Sequence, residues 1–132
     1  MLVVDVSGSM SESIADVRAT VKQIARALFA GSDARHRLGI VTFNERSTVR
    51  LPLSRASLET VNTVAHSLEA GGGTSILQGM LSAIGVLRDA SAADSRDPSD
   101  ASRPRLVQFM LLSDGEDGTA NIVQSVQAAV AS

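Results

Sequence analysis

Cysteine is absent from the 132 residues. That absence excludes a disulfide framework, a thiolate metal site and a cysteine nucleophile, and it leaves redox usage silent about compartment. A basic excess is also lacking: 12 Lys and Arg stand against 14 Asp and Glu, a formal net charge of −2. Nucleic acid is therefore excluded as the main partner, because no surplus of cations exists to neutralise phosphates. Lysine is nearly missing. Lys22 stands alone beside 11 arginines, which are scattered along the chain in the manner of solvated surface charge. No long apolar run opens the chain, since Met1–Val4 is interrupted by Asp5, far too short for a signal peptide or a membrane span. No direct membrane insertion is expected. The cytoplasm is the expected compartment, and the abrupt start points to a longer parent chain.

What is present fits one domain over residues 1–132, with 44% hydrophobic and 20% charged residues, the balance of a globular protein. Met1–Val6 is a β-branched apolar run closed by the turn residues Ser7-Gly8-Ser9, which predicts a short buried strand. Ser11 or Ser13 offers a helix cap, and Ile14, Val17, Val21, Ile24 and Leu28 follow at helical spacing before Gly31. Leu38–Phe43 predicts a second buried strand. The turn Asn44-Glu45-Arg46 then leads into an edge strand that carries Val49 and Leu51 and ends before Pro52. Leu58, Val61, Val64, Ala65 and Leu68 mark a further helix, broken by Gly71-Gly72-Gly73. Ile76, Leu77, Met80, Leu81, Ile84 and Leu87 mark the next. Residues 91–104 have no periodicity and predict a surface loop. Leu106–Leu112 predicts a buried strand, Ser113–Gly118 an acidic turn, and Ile122, Val123, Val126 and Val130 a last helix.

Apolar strands alternating with amphipathic helices predict an α/β fold. It is a doubly wound, open and mostly parallel sheet (Rossmann-like) with one antiparallel edge strand and both faces covered. In such sheets the ligand crevice lies beyond the carboxyl ends of the strands, where strand order reverses. Asp5-Val6-Ser7-Gly8-Ser9 and Ser113-Asp114 both sit just past the ends of the most apolar strands. Asp5, Ser7, Ser9, Thr74 and Asp114 make a hard-oxygen set suited to magnesium, which keeps several waters and takes one or two carboxylates. Manganese accepts the same set. His36 and His66 lie outside these turns, so zinc or copper is not indicated. Each residue also has an ordinary reading. Ser7 and Ser9 suit turns and caps, Thr74 suits the cap of the helix that follows, and Asp114-Gly115 is a common turn pair.

Asp5-Val6-Ser7-Gly8-Ser9 after an apolar strand resembles the Asp-x-Ser-x-Ser motif of von Willebrand factor A domains. Gly72-Gly73-Thr74 and Ser113-Asp114-Gly115 resemble the second and third parts of that family's metal-ion-dependent adhesion site, in the expected order and settings. The resemblance extends over essentially the whole chain. It implies that the hydroxyls of Ser7 and Ser9 bind the metal directly. Thr74 binds directly or through water, and Asp5 and Asp114 hold the coordination shell directly or through water. The remaining position would belong to water or to an acidic side chain of a protein partner. The implied activity is divalent-cation-dependent protein binding, not catalysis.

Enzyme readings find little footing. A phosphatase of the haloacid dehalogenase type needs a second acid two residues after the first, where this chain has Ser7. The only lysine lies mid-helix, away from any phosphate-binding glycine loop, and no Gly-x-Ser-x-Gly surrounds Ser7 or Ser9. Glu116 and Asp117 read as solvated loop acids, and His36 and His66 as structural or surface residues. Two other classes stand as alternatives: a subunit domain of a chelatase or ATPase-associated complex, and a metal-dependent hydrolase. Members of the family usually continue beyond the last helix seen here. If the family strand order holds, the fourth strand is an apolar edge. The expectation is therefore attachment to missing domains, with edge-strand dimerisation as the second possibility and a self-sufficient minimal domain as the third.

Overall fold

Leu2–Asp5 (β1) and Leu38–Phe43 (β2) are short, mostly apolar segments, and every residue in both is buried. In the computed structural model of the chain they form the two central strands of a four-stranded sheet. The structure describes residues 1–30, 36–94 and 107–114. Within them the chain runs from β1 through a 3₁₀ turn at Gly8–Met10 to α1 (Ile14–Phe29) and β2. It continues through β3 (Ser47–Ser54), α2 (Leu58–His66) and α3 (Ile76–Asp94) to β4 (Met110–Leu112).

The sheet order is β3-β2-β1-β4. β1 pairs in parallel with β2 (Leu2 opposite Ile40, Asp5 opposite Phe43) and with β4 (Leu2 opposite Met110, Val4 opposite Leu112). β3 runs antiparallel to β2. This is the expected α/β architecture: a mostly parallel open sheet with one antiparallel edge.

Side chains alternate across the pleat, so each central strand feeds two cores. Leu2, Val4, Leu38 and Ile40 pack on one face with Val17 and Val21 of α1 and Val61 and Ala65 of α2. Met1, Val3, Val41 and Phe43 pack on the other with Ile76 and Ala83 of α3. Gly79 lets α3 lie directly on Phe43, since a Cβ at that position would overlap the aromatic ring. Arg18 of α1 donates to the carbonyl of Leu68 and so ties α1 to the segment after α2.

Several boundaries differ from the sequence reading. β3 continues through Pro52 to Ser54 instead of ending before it. The ladder shifts register between Leu38 and Ile40, so Ser54 and Leu51 are paired while Pro52 falls in the irregularity, where a missing N–H breaks no bond. α3 runs on to Asp94, into the segment expected as loop, and Ala92 and Ala93, the strongest helix formers, lie in that extension. The remainder of that segment, 95–104, lies outside the described residues.

β4 is shorter than expected and is not buried. Met110 and Leu111 are 37% and 44% exposed, and Val107 is 50% exposed. The strand lies at one end of the sheet order and pairs only with β1 among the described residues, so packing covers it less than it covers β1. Ser13 does precede α1, but its hydroxyl makes no capping bond. Gly31, Glu116, Asp117 and the expected helix at 122–130 lie outside the described residues.

Candidate functional site

The carboxyl ends of β1, β2 and β4 meet along one rim of the sheet, and β1 organises it. Asp5 is the last residue of β1 and is fully buried. Its Oδ1 accepts from the Ser7 backbone N–H (2.8 Å), the local bond that turns an aspartate-led segment away from its strand. Its Oδ2 accepts from the Ser113 hydroxyl (2.7 Å), one residue past β4. A single carboxylate thus holds the turn of its own strand and the start of the turn after its neighbour.

The segment beyond Asp5 closes as consecutive tight turns. Met10 N–H donates to Ser7 O (3.0 Å) and Ser11 N–H to Gly8 O (3.2 Å). Met10 is buried against the core shared with α1 and α2, which pins the turn to the body of the domain. Ser7 is buried and Ser9 exposed, and their hydroxyls share a hydrogen bond of 3.1 Å. The turn therefore presents two side-chain oxygens side by side at the surface end of β1.

The glycine segment after α2 lies against this turn. Gly71 N–H donates to Val6 O (2.8 Å), and Gly8 N–H donates to Gly72 O (2.9 Å). A Cβ on Gly8 would stand 3.3 Å from Gly72 O, so the approach is close enough to favour glycine. Gly72 has φ +79°, a left-handed conformation open to glycine at little cost. Thr74, half-buried, follows two residues later, just before α3. Asp114, exposed, follows Ser113 at the end of β4. The three sequence segments singled out above are thus joined by direct hydrogen bonds between the first and second, and between the first and third.

Three residues of this rim carried no role in the sequence reading. Ser113 was no more than a neighbour of Asp114, yet it binds Asp5. Asn44 was a turn residue, yet its side-chain amide donates to Gly71 O (3.1 Å). Glu45 was likewise a turn residue, but its carboxylate oxygens lie 3.6 Å from where Cβ atoms on Gly72 and Gly73 would stand. Asn44 and Glu45 follow the carboxyl end of β2 and Ser113 that of β4, the two strands beside β1, and that position is the signal that finds them. The two histidines are engaged elsewhere, His36 with Leu28 O (3.1 Å) and His66 with Lys22 Nζ (3.0 Å). Among the described residues no three His, Cys, Asp or Glu side chains gather into a cluster. The oxygens of this rim come chiefly from hydroxyls set around a few carboxylates.

Residues 1–116 match the model of the von Willebrand factor type A domain, and the chain belongs to that family. Domains of this family typically serve as protein-interaction modules. The fold is similar to that of conserved hypothetical protein BatB from Bacteroides thetaiotaomicron (TM-score 0.66, 15% identity, 98% of this chain and 60% of that one). It is also similar to an uncharacterized membrane-spanning protein from Vibrio fischeri (TM-score 0.60, 24% identity, 71% of this chain and 51% of that one). A third similar structure is the von Willebrand factor domain of the type V pili tip protein Mfa5 from Porphyromonas gingivalis (TM-score 0.62, 13% identity, 83% of this chain and 34% of that one). The chain thus spans 60% or less of the length of each of these structures. No curated protein sequence matches it. Among the described residues no helix is long and apolar enough to cross a membrane.

Proposed function

We propose that this domain binds a protein partner through a divalent cation, magnesium or manganese, held by Asp5, Ser7, Ser9, Thr74 and Asp114. One observation carries the reading. Asp5 is a fully buried carboxylate whose hydrogen-bond partners among the described residues are neutral: a backbone amide and a hydroxyl. Burial of an anion among neutral partners is unfavourable, and a nearby metal ion offsets that cost. The donor chemistry fits, because hydroxyl and carboxylate oxygens are hard ligands of the kind magnesium and manganese prefer.

In this reading Ser7 and Ser9 offer their hydroxyl oxygens from the turn after β1, Thr74 offers its own from the glycine segment, and Asp114 contributes an exposed carboxylate after β4. Asp5 orients the first turn through Ser7 N–H and steadies the third segment through Ser113. The cation supplies a positive centre that remains open to an acidic side chain of the partner.

A thermal melt in chelator, repeated across magnesium and manganese titrations, tests the reading. A ligand at about 100 times its dissociation constant adds roughly 2.7 kcal/mol, which is on the order of 10 °C for a domain of this size. The expected result is a saturable upward shift that Asp114→Ala abolishes. A cooperative melt indifferent to both metals overturns the assignment.

A further inference from the structure

A fully hydrogen-bonded residue of the rim is not one of the five proposed ligands. Asn44 follows Phe43 at the end of β2, and all four of its polar groups are engaged. Its backbone N–H donates to Arg46 O (2.9 Å), and its Oδ1 accepts from Arg46 N–H (3.0 Å), which closes the turn into β3. Its other two groups reach across to the glycine segment. Nδ2 donates to Gly71 O (3.1 Å), and the backbone carbonyl accepts from Ser75 N–H (2.7 Å).

Gly71 and Ser75 are the two ends of the segment that carries Thr74. Its first two residues are held by Val6, Asn44 and Gly8, and its last by Asn44 again. The approach is close, since a Cβ on Gly72 would stand 3.2 Å from Asn44 Nδ2, and the left-handed Gly72 makes room for it. β2 is a central strand buried along its whole length and packed on both faces, and Asn44 follows directly from it. The hydroxyl of a threonine in a half-exposed segment is only as well placed as the backbone on either side of it.

We propose that Asn44 is a positioning residue that clamps both ends of the Gly71–Ser75 segment from β2 and so sets Thr74 against the Ser7–Ser9 turn. This inference rests on the metal reading given above. Asn44 touches neither metal nor partner in it and acts through Thr74.

The test is Mn2+ binding by calorimetry on the full chain, for the unaltered protein, Asn44→Asp, Asn44→Ala, Thr74→Ala and the double variant Asn44→Asp with Thr74→Ala. Asn44→Asp keeps an oxygen for Arg46 N–H but has no N–H for Gly71 O. It also adds a negative charge, which by itself favours a cation, so a loss of affinity is a stringent result. Asn44→Asp is expected to weaken Mn2+ binding about 10-fold, as loss of a residue that orients a metal ligand does. The double variant is expected to bind no more weakly than Thr74→Ala alone, because the clamp has nothing left to position. Asn44→Ala serves the same comparison if the aspartate variant does not fold. Full additivity of the two losses, or unchanged binding by the Asn44 variants beside a weakened Thr74→Ala, overturns this inference and leaves the metal site standing. Unchanged binding by Thr74→Ala overturns it as well. Absence of Mn2+ binding by the unaltered protein overturns the metal reading itself and this inference with it.

Discussion

β1 and β4 are both apolar strands with an aspartate at their carboxyl ends, and they lie side by side in one sheet. Their surroundings differ. β1 has neighbours on both sides and a core on each face, and Asp5 is fully buried. β4 pairs with β1 alone among the described residues, Leu111 is 44% exposed, and Asp114 is exposed. The same residue type therefore has two jobs. Asp5 is part of the framework, since its oxygens hold two turns in place; Asp114 stands at the solvent-exposed end of the rim. Position in the strand order, more than residue identity, makes that division.

The two aspartates separate the strands by the largest margin. Asp5→Ala leaves Ser7 N–H and the Ser113 hydroxyl without their acceptor, and an unsatisfied buried donor costs about 1–3 kcal/mol. The metal-free melt should fall, though by less than the roughly 10 °C that the two lost bonds alone would give, because the variant no longer buries an anion. Asp114→Ala, at an exposed position, should lower the metal-free melt by clearly less than Asp5→Ala does. Equal losses in chelator for the two variants would erase the distinction between framework and ligand.

A smaller effect separates the apolar side chains of the same strands. Val3 is completely buried, and Val3→Ala should destabilise by about 2 kcal/mol through lost apolar burial and the cavity left behind. Leu111→Ala removes a larger side chain yet should cost less than about 0.5 kcal/mol, because much of Leu111 already faces water. Urea titrations of the two variants decide the matter, and a reversed order would mean that β4 is covered in solution.

The least perturbing change divides the first turn itself. Ser9 is exposed while Ser7 is buried, so Ser9→Ala should shift the metal-free melt by no more than about 0.5 kcal/mol. On the proposed metal reading it should nevertheless lower the affinity for magnesium measurably by calorimetry. If Ser9→Ala loses its circular dichroism signal without metal, the hydroxyl serves the fold instead.

Much of this molecule was legible in one dimension. Continuous apolar runs marked β1 and β2, because a strand covered on both faces has no polar side to alternate with. The period of α1 was equally plain. Ser7, Gly8 and Ser9 after β1, and Gly72 before Thr74, marked tight turns at strand and helix ends, and those ends do converge on one rim. What the chain order could not supply was contact across it. Asn44 and Ser113 looked like ordinary turn residues because their partners, Gly71 and Asp5, are 27 and 108 positions away. The exposure of β4 divides two kinds of reading. Leu106–Leu112 is as apolar as β1, so its composition alone predicts burial, whereas the family resemblance, through its strand order, expects this strand at an edge. Burial, however, depends on how many neighbours the strand order assigns, and that is settled only when the sheet assembles. Local pattern thus determined which segments are strands, helices and turns. Tertiary structure decided which aspartate is enclosed and which faces solvent, because hydrogen bonding and desolvation act between residues that only folding brings together.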